Sequence, residues 1–184
     1  MPHDSHLSSI AEIRARARRH LESGAVTEEY KADRAQVIRI LNELLATELV
    51  CMLRYKSHYF NAAGIHADAV KAEFLQHARE AQQHAESIAN RIVELNGEPD
   101  FNPRDLAARS RSEFRSPPGL IEMIRDDLVA ERIAVESYSE VARWLEQEDI
   151  TTARLMKEIL TVEERHATDM KKFIARLLEA QKPD

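Results

Sequence analysis

The sequence predicts an all-α chain built around four long helices. All four glycines (Gly24, Gly64, Gly97, Gly119) and all six prolines (Pro2, Pro99, Pro103, Pro117, Pro118, Pro183) fall between periodic segments and never inside them. Both residue types disfavour helix interiors, so they cut the chain into helical pieces. Within those pieces apolar residues recur at three- and four-residue spacing, and no strand-like alternation occurs anywhere. A charged fraction of 32% alongside only four glycines suits long helices with water-facing sides.

A short N-terminal helix is expected over about 8–22. The first long helix is expected over about 28–61, with Thr27 as N-cap and Glu28 and Glu29 in the first turn. The second covers about 66–95 and stops at the Asn96-Gly97 pair. The third covers about 118–146 behind Pro117-Pro118, and the fourth about 150–180. Short links around Gly64 and Asp149 make each successive pair an antiparallel hairpin. The second and third helices are separated by roughly 20 residues, and helices of about 28 residues are about 42 Å long. An extended link of that length can cross the whole bundle, so the expected architecture is a four-helix bundle with one long crossover. Residues 1–27 form an N-terminal extension and residues 28–182 the bundle.

Length and composition narrow the function. A chain of 184 residues is one domain with a core that needs no disulfide staples. The lone Cys51 forms no internal disulfide, which favours a reducing, cytoplasmic setting. It also rules out a four-cysteine iron site or an iron–sulfur cluster on a single chain. The sequence has neither an apolar run of about 18 residues nor an apolar N-terminal signal segment, so neither a membrane span nor secretion is expected. The net charge of −6 and pI near 5.8 argue against wholesale nucleic-acid binding.

The strongest functional signal is an internal repeat. Glu48 is followed seven residues on by Tyr55 and 36 on by His84; Glu131 is followed seven on by Tyr138 and 35 on by His166. Each lies in an apolar stripe. The first long helix presents Leu41, Leu44, Glu48, Cys51, Met52 and Tyr55, and the third Ile124, Leu128, Glu131, Val135 and Tyr138. The second presents Phe74, His77, Ala81, His84, Ile88 and Leu95, and the fourth Leu155, Ile159, Val162, Glu163, His166, Met170 and Phe173. A single buried His or Glu is most often a satisfied core residue. Four helices that each place one near mid-length reverse that reading, because carboxylates in a core need a positive partner. Metal ions, two of them, are the simplest partner. Glu163 and His166, at i and i+3, share one helix face and can reach the same metal.

The segment Asn42-Glu43-Leu44-Leu45-Ala46-Thr47-Glu48-Leu49-Val50, followed by Tyr55 and His58, resembles the first helix of bacterioferritins. His84-Ala85, Arg91-Ile92-Val93 and Gly97-x-Pro99 resemble the end of their second helix. Asp127-Leu128-x-Ala130-Glu131 and Ile159-Leu160-x-x-Glu163-Glu164-x-His166 resemble the third and fourth. The resemblance spans roughly residues 35–178. It implies a ferritin-like up-down-down-up bundle and a di-iron ferroxidase centre that oxidises Fe(II) with O2 or H2O2 and stores ferric iron in a hollow homo-oligomer. By the same resemblance Glu48 is a terminal ligand with Glu131 opposite, Glu163 and His166 lie on one side and His84 on the other. Tyr55 is then the aromatic beside the metals, placed to position or supply a proton or electron.

The sequence departs from that pattern in three places. Ala81 stands three residues before His84, where the pattern has a glutamate. Two neighbours offer compensation: Glu80, rotated by ~100° around the helix, and His77, two turns from His84 and only ~20° off its direction. Gln82 replaces the methionine that ligates haem in bacterioferritins, so no haem is expected. Only 18 residues follow His166, too few for the fifth helix of the 24-subunit shell. A 12-subunit shell of the kind formed by Dps-like mini-ferritins is favoured, with a 24-mer or a dimer as alternatives.

Residues 1–22 carry Arg14, Arg16, Arg18 and Arg19 against Asp4, Glu12 and Glu22, an excess of one positive charge. The stripe Ile10, Ile13, Ala17 and Leu21 favours a subunit contact over DNA binding. Two rival functions remain on the same bundle: a rubrerythrin- or manganese-catalase-like peroxidase or oxidase, and a non-catalytic shell whose site has decayed at Ala81. Cys51 and Met52 read as core residues, His58 as an outer partner or surface residue, and His3, His6, His20 and His66 as solvated.

Overall fold

The computed structural model describes residues 7–19, 21–64 and 67–180. His3, His6, His20 and His66 lie outside them. Among the described residues there are no strands, and the helices are α1 (Ile10–Arg19), α2 (Arg34–Asn61), α3 (Ala67–Glu94), α4 (Leu106–Arg109), α5 (Leu120–Leu145) and α6 (Ile150–Ala180). No helix among them is long and apolar enough to cross a membrane.

The first long helix begins at Arg34 and not near residue 28. Its cap is Asp33, whose carboxylate accepts from the Gln36 N–H at 3.2 Å. The ten residues before Arg34 are held in a non-helical path by tertiary contacts. The Tyr30 hydroxyl donates to Asp149 at 2.9 Å, and Val26, Tyr30 and Ala32 pack on the core. That burial outweighs the weak helix signal of Thr27 and its two glutamates. The N-terminal helix is likewise shorter than expected, with a single 3-10 turn at Leu21–Ser23 behind it.

α3 stops as its sequence predicts. Asn96 takes φ +59°, and the Gly97 N–H reaches back to Ile92 O at 2.9 Å, closing the last turn. Glycine is required next to it by space, since a Cβ at Gly97 would lie 2.9 Å from the Ile38 side chain. The start of α6 is held by Asp149, which accepts from the Thr152 N–H at 2.9 Å and hydroxyl at 2.6 Å. Arg91 of α3 grips the same carboxylate at 3.0 and 3.1 Å.

The bundle direction can be read from its core. Two apolar clusters lie on either side of a polar layer. α2 contributes Leu41, Leu44 and Leu45 to one cluster, then Glu48, then Cys51 and Tyr55 to the other. α6 runs the same way, from Met156 and Ile159 through Glu163 and His166 to Met170. α3 and α5 run oppositely, from Phe74 through His84 to Ile88 and from Ile124 through Glu131 to Val141. The order is up-down-down-up. Because α3 and α5 are parallel, the link between them must traverse the bundle, and it does so with α4 along α2.

That crossover is pinned by a buried ionic knot. Arg54 of α2 donates to Asp127 of α5 at 3.0 Å, to the Ser112 hydroxyl at 2.9 Å and to Glu113 O at 2.8 Å. His58 sits between Asp127 Oδ2 at 2.9 Å and Arg115 O at 3.1 Å. Arg54, His58 and Asp127 are each 2% exposed or less, so the pairing satisfies charges that would otherwise be costly to bury.

Candidate metal centre

The polar layer holds three carboxylates and three imidazoles, placed by four helices. Glu48 (α2), His84 (α3) and Glu163 (α6) form one group; His77 (α3), Glu131 (α5) and His166 (α6) form the other. Within each group one ligand atom per residue lies within 4.8 Å of the others. All six are buried, His84 being the most open at 8%. The sequence-predicted residues Glu48, His84, Glu131, Glu163 and His166 are thus brought together, and His77 joins them.

Glu163 stands between the two groups. Its Oε1 is 2.9 Å from His84 Nδ1, and its Oε2 is 3.6 Å from His166 Nδ1. Glu48 Oε2 lies 3.5 Å from the same His84 nitrogen. Glu131 faces His166 Nδ1 through Oε2 at 3.6 Å and His77 Nδ1 through Oε1 at 3.8 Å. Two tyrosines complete the layer by crossing between α2 and α5: Tyr55 donates to Glu131 and Tyr138 to Glu48. The role of Tyr138 is the feature that sequence reading missed. Its signal was present in the internal repeat, where Tyr138 stands seven residues after Glu131 as Tyr55 does after Glu48.

The buried carboxyls and imidazoles of the layer shift one another's proton affinities. Burial, and then the charge of Glu163, push the Glu48 carboxyl up; the same causes push Glu131 well above the usual carboxylate range. Burial also opposes ionisation of Glu163, but hydrogen bonds from Glu131, His166 and His84 outweigh it and hold this carboxyl low. Burial disfavours a charged His84, yet Glu163 and Glu48 raise it to about 9. His77 goes the other way, down to about 3, through burial and the neighbouring His166. Nδ1 of His77 is buried without a hydrogen-bond partner and faces Glu131, while Nδ1 of His84 faces Glu163 and Glu48. Oxygen and imidazole donors in this mixture fit first-row divalent ions.

Glu80 lies outside both groups. One of its oxygens meets His166 Nε2, while the other accepts from Arg165 at 2.8 Å and Gln76 at 3.3 Å. There it holds the outer nitrogen of His166 and leaves Nδ1 facing Glu131 and Glu163. Ala81 is buried in the apolar cluster. Gln82 is exposed and donates to Glu86 at 3.0 Å. His58 is buried on Asp127 and belongs to the crossover knot. Cys51 accepts a 3.5 Å hydrogen bond from Arg54, and burial pushes its thiol up to about 12, so it is a neutral core residue.

A ferritin-like domain model matches residues 38–179, which contain every residue of both groups. The chain belongs to the ferritin-like family. It is 30% identical over 136 residues to a bacterioferritin of Desulfovibrio desulfuricans, covering 73% of this chain and 72% of that one. It is also 30% identical over 138 residues to a DNA protection during starvation protein of Pyrococcus furiosus, covering 73% and 74% of the two chains. Among solved structures it matches the dodecameric thioferritin of Bacteroides fragilis, a bacterioferritin-related protein, at TM-score 0.78 and 31% identity over 83% of this chain and 94% of that one. The Dps of Thermosynechococcus elongatus matches at TM-score 0.73 and 21% identity, covering 76% and 90% of the two chains, and shares the fold. The ferritin-like chain therefore joins an iron-storage family through the segment that carries its six-residue polar layer.

Proposed function

We propose that this protein takes up Fe(II) at the two donor groups, oxidises it with O2 or H2O2, and stores the ferric product inside a hollow homo-oligomer, a dodecamer. The observation that carries the reading is Glu163, whose two oxygens face two separate groups, each with its own carboxylate and imidazole. A buried carboxylate so placed serves two cations at once.

Iron is substrate and cargo here, and the chain's residues prepare its place. Glu48 and His84 receive one ion, Glu131 and His166 the other, and Glu163 spans them. Carboxylates and imidazoles bind a cation only without their protons, so metal binding releases protons. The carboxylates then stabilise the higher charge of the ferric state. Tyr138 bonds Oε1 of Glu48 and leaves Oε2 toward His84, and Tyr55 bonds Oε1 of Glu131 and leaves Oε2 toward His166. Glu80 engages Nε2 of His166 and so leaves Nδ1 as the nitrogen that faces the site. The dodecamer is supported by the thioferritin likeness.

An anaerobic Fe(II) titration of metal-free protein, followed by oxidant, tests the reading. Two irons per chain, a rapid rise of near-ultraviolet ferric absorbance and continued loading beyond two are expected. Oxidation no faster than in buffer would overturn it.

A further inference from the structure

The two donor groups are not chemically alike, and the reason lies on α3. On α6, Glu163 and His166 stand at i and i+3; at the matching step α3 has Ala81 and His84. α3 therefore brings no carboxylate at that step, and brings a second imidazole one turn earlier. His77 is 1% exposed. Its ring stacks on His166 with centroids 3.7 Å apart, and its edge meets Tyr55 at 5.2 Å. Its Nδ1 has no hydrogen-bond partner and lies 3.8 Å from Glu131, while Nε2 is 3.8 Å from Glu73. A nitrogen held buried, unpartnered and facing a carboxylate is placed as a ligand.

We infer that His77 is a metal ligand and makes the two positions inequivalent: His77, Glu131 and His166 form a nitrogen-rich site that prefers late first-row divalent ions, while Glu48, His84 and Glu163 form a carboxylate-rich site suited to Fe(II). This rests on the two-metal reading above and refines it. With Glu163 shared between them each position has two carboxylates, and the second imidazole, His77, favours ions toward the Co(II), Ni(II) and Zn(II) end of the series at one of them; the position with a single imidazole favours harder ions. Fe(II) alone fills both positions, and a later ion competes first at the nitrogen-rich one.

The test is a Co(II) titration of the metal-free oligomer, read by visible absorbance and by metal count per chain, with the Fe(II) count run on the same preparation. Wild type is expected to bind two Co(II) in two steps, separated by roughly ten-fold or more in affinity. His77→Phe keeps the ring stack on His166 and removes both nitrogens. It is expected to lose the tighter step, retain the weaker one and show an unchanged helical circular dichroism signal. Glu48→Gln should do the reverse, weakening the second step and sparing the first. Two indistinguishable steps in wild type, or a tight step that survives in His77→Phe, would overturn the inference while leaving the two-metal reading intact. No Co(II) or Fe(II) binding above background would overturn both.

Discussion

Glu80 meets the candidate centre from outside its two donor groups. It touches the outer nitrogen of His166 and is itself steadied by Arg165 and Gln76. Removing such a partner typically weakens a metal site by about 10–100-fold. Glu80→Ala should therefore lower Co(II) affinity by that order in a competition assay, with Glu80→Gln recovering part of the loss. An unchanged affinity in Glu80→Ala would show that His166 is oriented by packing alone. Tyr138 makes a second residue-scale case. Tyr138→Phe leaves one oxygen of buried Glu48 without its donor, which costs about 1–3 kcal/mol. The measurement is urea unfolding of the metal-free protein, and a change below about 0.5 kcal/mol would mean that Glu48 finds another donor.

Among the elements, the crossover between α3 and α5 depends most on a single cluster. Among the described residues, Asp127 is the carboxylate that pairs with both Arg54 and His58 in the buried knot. Asp127→Ala strands two buried cationic or polar groups and should cost about 3–5 kcal/mol. Denaturant unfolding measures this, and a cost below about 1 kcal/mol would assign the crossover's docking to α4 instead. The start of α6 has a pH signature. Burial works against ionisation of Asp149, but the Thr152 hydrogen bonds and Arg91 hold its carboxyl below the usual aspartate value of 3.8. A carboxyl lowered by folding adds stability above its unfolded value and loses it as pH falls through the folded one. Asp149→Asn should therefore be clearly less stable than wild type at pH 7, with the gap closing on acidification below the ordinary aspartate range. A gap that does not change with pH would make Asp149 only a hydrogen-bonding cap.

At the scale of the molecule, α1 has no buried residue, and Ile10 and Ile13 lie exposed on it at 68% and 50%. An amphipathic helix in that state has its apolar stripe available for a neighbouring subunit. Light scattering of the full chain should give a mass near twelve times 21.1 kDa. A dimer mass would remove the hollow interior on which the proposed storage depends, while leaving the proposed oxidation within each bundle untouched.

Most of the fold was legible because its signals are local. Gly and Pro avoid helix interiors for backbone reasons, so the helix ends at Asn61 and Glu94, close to Gly64 and Gly97, stand within a residue of expectation, and the short break around Asp149 places Leu145 and Ile150 as closely. The candidate ligands Glu48, His84, Glu131, Glu163 and His166 were legible because helical periodicity alone assigns each to an apolar face. What periodicity omits is contact between helices. The onset of α2 at Arg34 was decided by Tyr30 binding Asp149, 119 residues away. Glu80 and His77, three residues apart on one helix, both offer compensation for the glutamate absent at 81, and the sequence does not choose between them. Only the placement of α3 beside α6 and across the core from α5 separates them, setting Glu80 on the outer nitrogen of His166 and turning His77 inward toward Glu131. Sequence determined which residues face the core; tertiary structure decided which atoms meet there, because a helix sets a side chain's direction and only its neighbours set its partner.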